Sequence, residues 1–140
     1  MGQVLVEITI VNMQDQWEVM RGMRAAGDAR RLVIPDALVD TGATLLSLPT
    51  RVIQQLGLNP VMLKRVRTSS GELTHASLYD AVRLTIGDRT CTTDVLEVPD
   101  SVPVLVGQLP LEALDLVVDM RGRRLTGNPA HGGEHMYDLF

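Results

Sequence analysis

Along the first ten residues, apolar side chains fall at every second position. Val4, Val6, Ile8 and Ile10 share one face, and Gln3, Glu7 and Thr9 take the other. A period of two marks a half-buried strand, because successive Cβ atoms point to opposite faces of a sheet. Residues 12–31 are less regular. Trp17, Val19 and Met20 suggest a second strand, with Trp17 as a core or interface anchor, and residues 22–30 suggest a loop. Residues 31–34 read as a short strand ended by Pro35, and residues 36–40 as the next. A connection over 44–49 leads to Thr50, an apt N-cap for a short helix over 51–56. Val52, Ile53 and Leu56 share one face of that helix, and Gly57 stops it.

Beyond Pro60 the pattern returns to strands. Residues 62–68 and 73–82 flank Ser69-Ser70-Gly71-Glu72. A short polar turn with a glycine between two such runs predicts a β-hairpin with an exposed tip. Residues 82–86 and 90–98 flank Gly87-Asp88 and predict another. Val104-Leu105-Val106 reads as a short buried strand stopped by Gly107, followed by helical turns over 109–114. Residues 116–119 and 124–126 flank a turn at Arg121-Gly122. The pattern predicts an all-β domain over residues 1–126, with two short helices, closed into a barrel or sandwich. Residues 127–140, rich in Gly, His and Pro, read as a flexible tail. The lack of a strand–helix alternation argues against a parallel α/β sheet.

Composition narrows the function. The 140 residues fit one domain, and 45% hydrophobic content suffices for a core. A net charge of -4 without a basic face argues against nucleic acid, and 3% aromatics leave no stacking platform for single strands. Cys91 is the only cysteine, so no intrachain disulfide forms and a reducing compartment is expected. It reads as a small strand residue rather than a nucleophile. No apolar run approaches the roughly 20 residues of a membrane span, and the start lacks a basic segment. A cytoplasmic protein without a membrane partner is expected. His131, Glu134 and His135 invite a metal reading, but Gly132 and Gly133 intervene and a zinc site needs three or four ligands. No metal and no cofactor are expected.

One stretch carries chemistry. The apolar residues Ala37, Leu38 and Val39 deliver Asp40, and Thr41 and Gly42 follow at once. A strand that ends in an Asp carries an acid out of the core at a fixed point. The glycine allows backbone or ligand to approach closely. The tripeptide alone arises by chance in roughly 3 of 100 chains of this length, and such an Asp also serves as a turn cap. Its context sharpens it: Ala43 and Thr44, a helix, a Gly-tipped hairpin, then an apolar triplet ending in Gly107 before a second helix.

That ordered set resembles the retroviral-type (retropepsin-like) aspartic proteases, cellular and bacterial relatives included, over about residues 4–125. Asp40-Thr41-Gly42-Ala43 matches the catalytic motif, and Val104-Leu105-Val106-Gly107 matches the second hallmark. Residues 68–79 look like the flap that covers substrate. The resemblance implies a small closed β-barrel of the acid-protease type, in which two identical chains build one active site. It assigns catalysis to Asp40, loop support to Thr41, Gly42 and Ala43, the flap tip to Ser69, Ser70, Gly71 and Glu72, and a structural role to Gly107.

Physical reasoning agrees. Metal-free peptide hydrolysis wants one carboxylate to activate water and another to hold a proton. Two close carboxylates share a proton and titrate as a pair. The chain offers a single Asp-Thr-Gly, so the second carboxylate is expected from Asp40 of a second copy, across a two-fold axis. The expected function is a homodimeric aspartic endopeptidase acting on extended, largely apolar segments of a peptide or protein, with Leu73 and Leu78 shaping side-chain pockets. The alternative is a non-proteolytic peptide-binding or dimerisation module on the same fold.

Overall fold

The computed structural model describes residues 3–140. Met1 and Gly2, the first positions of the expected domain, lie outside the described residues. Strand β1 (Leu5–Asn12) lies antiparallel to β2 (Arg31–Val39) on one side and to β5 (Leu73–Ile86) on the other. β2 pairs in parallel with β7 (Leu105–Val106), which pairs antiparallel with β3 (Leu46–Pro49). β3 pairs in parallel with β6 (Arg89–Val98), and β6 returns antiparallel to β5. The sheet therefore closes into a ring of six strands, and β4 (Asn59–Arg67) stands outside it as an edge strand on β5. The domain is mostly β, as expected, but the ring is not a regular barrel. One of its members, β7, is two residues long and held between strands of opposite direction.

Every ring strand gives a side chain to one core: Ile8, Ile10, Ala37, Leu46, Leu48, Val82, Leu84, Val95 and Val106 are all buried. The short helix α2 (Thr50–Leu56) adds Val52, Ile53 and Leu56. Its C-terminus turns at Gly57, whose φ of 63° is left-handed, as the sequence predicts. Helix α3 (Gln108–Ala113) adds Leu111, with Leu114 just beyond its end. Strands β8 (Leu116–Asp119) and β9 (Arg124–Gly127) form a separate hairpin. No described helix is long and apolar enough to cross a membrane.

Several expectations need correction. Residues 13–20 form helix α1 (Met13–Met20), not a strand. The Asn12 side chain caps it by accepting from the Asp15 amide (3.0 Å), and donates to the Leu56 carbonyl (2.7 Å). Met13 is buried, whereas Trp17 keeps 49% of its surface in solvent and is not a core anchor. Inside the following loop, the Arg30 amide and guanidinium donate three bonds of 2.8–2.9 Å to the buried Asp15 carboxylate. The Arg30 side chain holds that carboxyl down to about 2, against the cost of burial.

β2 runs unbroken through Pro35. The β1–β2 register jumps between Val6–Ala37 and Ile8–Ile34, so Glu7 faces both Pro35 and Asp36. This bulge accommodates a residue that cannot donate to the ladder. The expected connection before α2 contains β3, all four residues of which are buried. Thr50 is the first helical residue and not the cap; its hydroxyl donates to Glu97 Oε2 (2.6 Å).

Beyond Gly127, the segment read as a tail folds back over Asp115. A 3₁₀ turn at Pro129–His131 brings His131 Nδ1 to 2.6 Å from Asp115 Oδ2, and the Met136 amide donates to the same oxygen. Asp115 is only 7% exposed. The hydrogen bond with His131 lowers its pKa. His135 turns instead to the Ala113 carbonyl (3.0 Å) and does not join His131. Asp119 does serve its turn, accepting from the Arg121 amide (3.1 Å).

Candidate active site

β2 carries Asp40 to the point where the sheet opens. The Leu38 amide donates to the Val104 carbonyl and the Asp40 amide to the Val106 carbonyl, both at 2.9 Å. β7 thus grips the strand up to the acid itself. Past Asp40 the chain loops over and returns as β3 on the other side of β7. The loop is tight: the Ala43 amide donates to the Asp40 carbonyl (3.1 Å), and the Gly42 amide to Asp40 Oδ1 (2.9 Å). Among the described residues, Asp40 Oδ2 and the Thr41 hydroxyl have no hydrogen-bond partner, and Thr41 and Gly42 are exposed.

The loop is held from beneath by the start of α3. The amides of Gly107, Gln108 and Leu109 donate to the carbonyls of Leu45 (3.1 Å), Ala43 (2.8 Å) and Thr44 (2.9 Å). These amides have no partner inside their own helix, so the loop satisfies them. A Cβ built on Gly107 would stand 2.4 Å from the Leu45 oxygen and 2.6 Å from the Ala43 oxygen. Glycine is required there by close approach, not by backbone angle, since its φ of -88° suits any residue.

The β4–β5 hairpin forms the other side of the site. Its turn is closed by the Gly71 amide on the Thr68 carbonyl and the Thr68 amide on the Glu72 carbonyl, both at 2.9 Å. Gly71 has a φ of 86°, which a side chain would strain. Between the hairpin and the Asp40 loop runs a groove of about 560 Å³. Gly42, Ala43, Thr44 and Leu45 line one wall, the strand from Lys64 to Ser69 the other, with Ser47, Leu96 and Leu105 between them. The sequence-derived residues thus fall into one region. Asp40 stands at the head of the loop, just outside the lining, and Ser70, Gly71 and Glu72 extend beyond it. Leu78 lies in the core and Leu73 is exposed on the hairpin; neither lines the groove. The contribution of Lys64, Arg65 and Leu96 was not anticipated, because only the strand pairing brings them here.

The protein-family model described as "Aspartyl protease" matches residues 31–112, from the start of β2 into α3. The chain belongs to the aspartyl protease family. No curated sequence matches it significantly. The matched span of this aspartyl protease family member includes Asp40, the β4–β5 hairpin and Gly107. Cys91, the one thiol, is held away from reactivity: burial pushes its pKa up to about 11, so it stays protonated near neutral pH.

Proposed function

We propose that the protein is an aspartic endopeptidase of the retropepsin-like kind, whose active site forms when two copies bring their Asp40 carboxylates together. The observation that carries this reading is the pinned strand end. An acid on a loop anchored by the amides of Gly107, Gln108 and Leu109, beside a groove walled by a hairpin, is a preorganised catalytic carboxylate.

One Asp40 takes a proton from water as the water oxygen attacks the peptide carbonyl carbon, while its mate donates a proton to the carbonyl oxygen. Collapse of the tetrahedral intermediate breaks the carbon–nitrogen bond. The proton gained from water passes to the departing amine, and the mate recovers its own. Thr41, whose hydroxyl has no partner within the described chain, is suited to hydrogen-bond across the two-fold axis. Gly42 and Ala43 offer their backbone to an extended peptide, and Ser69, Ser70, Gly71 and Glu72 close over it as a flap. No metal or organic cofactor enters these steps. A single cysteine fits work in the cytoplasm.

Incubating the protein and Asp40→Asn with an unfolded protein substrate from acidic to neutral pH tests the reading. Cleavage by the parent and not the variant is expected. A specific observation favours a second reading, a peptide-binding module: Gly42 bonds Asp40 Oδ1 as in an Asx turn, a structural use of the acid. In that case neither protein cleaves and both bind peptide, because Asn keeps the acceptor oxygen.

A further inference from the structure

Among the described residues, four polar or charged side chains are buried: Asn12, Asp15, Ser47 and Asp115. Asn12 donates to the Leu56 carbonyl, Asp15 accepts from the Arg30 guanidinium, and Asp115 meets the His131 ring. Ser47, only 6% exposed, is the exception: its hydroxyl has no hydrogen-bond partner among the described residues. Most buried hydroxyls in native proteins are paired, because an unmade bond is costly. This one is not sealed in, since the fully enclosed side-chain polar atom left without a partner is Arg83 Nε. Ser47 opens onto the groove beside the Asp40 loop. Leu46 and Leu48 belong to the core, so Ser47, between them on β3, points the other way. Leu96 on β6 and Leu105 on β7 are its direct partners across the sheet, and both line the same groove. The floor is thus aliphatic, with one hydroxyl set between two leucines.

We propose that Ser47 is a specificity-determining residue: its hydroxyl hydrogen-bonds an amide or hydroxyl side chain of the bound peptide, so the groove accepts one uncharged polar residue on an otherwise aliphatic floor. A serine hydroxyl both donates and accepts, which suits Asn, Gln, Ser and Thr. An aliphatic side chain in the same place shuts the hydroxyl off from water and leaves it unpaired, and that loss sets the discrimination. No charged residue belongs to the floor, and a carboxylate is costly to bury without a cation beside it. Selection of this kind names part of the substrate class of the proteolytic reading and rests on it for the peptide's place in the groove. Binding alone suffices to detect it.

The test uses immobilised Asp40→Asn and Asp40→Asn/Ser47→Ala, each given a random pool of octapeptides in which one position at a time is Thr, Val, Asn, Leu or Asp. Thr and Val, like Asn and Leu, match in shape and differ in hydrogen bonding. At one position, the Thr-to-Val and Asn-to-Leu retention ratios are expected to be about 3- to 10-fold higher with Ser47 than with Ala, the span of one neutral hydrogen bond. Urea unfolding should find Ser47→Ala no less stable than the parent, because the hydroxyl has no partner in the chain to lose. Equal ratios in the two proteins at every position, Asp retained above Asn at the responsive position, or a lowered urea midpoint in Ser47→Ala overturns the proposal. Cleavage fails separately: ratios that depend on Ser47, with no hydrolysis by the parent protein, sink the proteolytic reading and leave the polar preference standing.

Discussion

Replacing Gly107 by Ala tests whether the Asp40 loop is held from below. The substitution adds one methyl group where the Leu45 and Ala43 oxygens already stand 2.4 and 2.6 Å away. Both are backbone atoms, so no flexible side chain can swing aside. Either the loop lifts or α3 retreats, and both movements stretch the bonds from the amides of residues 107, 108 and 109. At a net value of about 1 kcal/mol per hydrogen bond, losing two or three costs about 2–3 kcal/mol. The backbone angles at Gly107 suit Ala, so strain adds nothing and the whole effect is steric. Urea unfolding measures the loss of stability, and hydrogen exchange locates it. The amides of residues 107–109 should exchange faster than in the parent, while those at the β5–β6 pairing stay protected. Cleavage should fall more than stability, because the loop positions Asp40. A change of stability under about 0.5 kcal/mol, the range of an ordinary surface substitution, together with unchanged exchange, refutes the anchoring argument.

Two further outcomes follow from other parts of the chain. Asp15 has a folded pKa of about 2, below its ordinary 3.8. Its stabilisation is therefore complete above about pH 4 and fades as pH falls toward 2, a span worth about 2 kcal/mol. Asp15→Asn should remove that part of the acid dependence of stability in urea titrations; identical curves for both proteins between pH 5 and pH 2 would show the ion pair with Arg30 to be idle. Gly71→Ala forces a side chain to a φ of 86° at the hairpin turn, at a cost of about 1 kcal/mol. With the turn perturbed, KM for peptide should rise while the core stays intact by circular dichroism; unaltered kinetics would remove the hairpin from substrate binding.

Much of this architecture is legible in the order of residues. The alternation at Val4, Val6, Ile8 and Ile10, the Gly-bearing turns at residues 69–72 and 87–88, and the left-handed stop at Gly57 depend on local geometry alone. Asp40, Gly42 and Gly107 could be singled out from their order along the chain. What failed depends on neighbours distant in sequence. β3 is only four residues long, so the alternation of Leu46, Ser47 and Leu48 is too brief to stand out. Pro35 looks like a strand stop until the bulge opposite Glu7 is known. Asp115 looks solvated until His131 folds back upon it. Helix α1 was within reach, since Asn12 is a good cap and Met13, Trp17 and Met20 recur at helical spacing. Trp17 and Val19 drew the segment toward a strand because both favour sheets. The part β4 plays in the groove could not be read from residues 64–69 as a run. Only the pairing of β4 with β5 brings that strand opposite the Asp40 loop.

The central claim is that catalysis needs two Asp40 carboxylates, one from each copy. Mixing the parent protein with Asp40→Asn at fixed total concentration, after subunit exchange, measures this directly. Random pairing leaves about one quarter of the dimers with both carboxylates in an equal mixture, so cleavage should fall to about one quarter of the all-parent rate. A rate of about one half, as expected if each copy acts alone, would contradict the account.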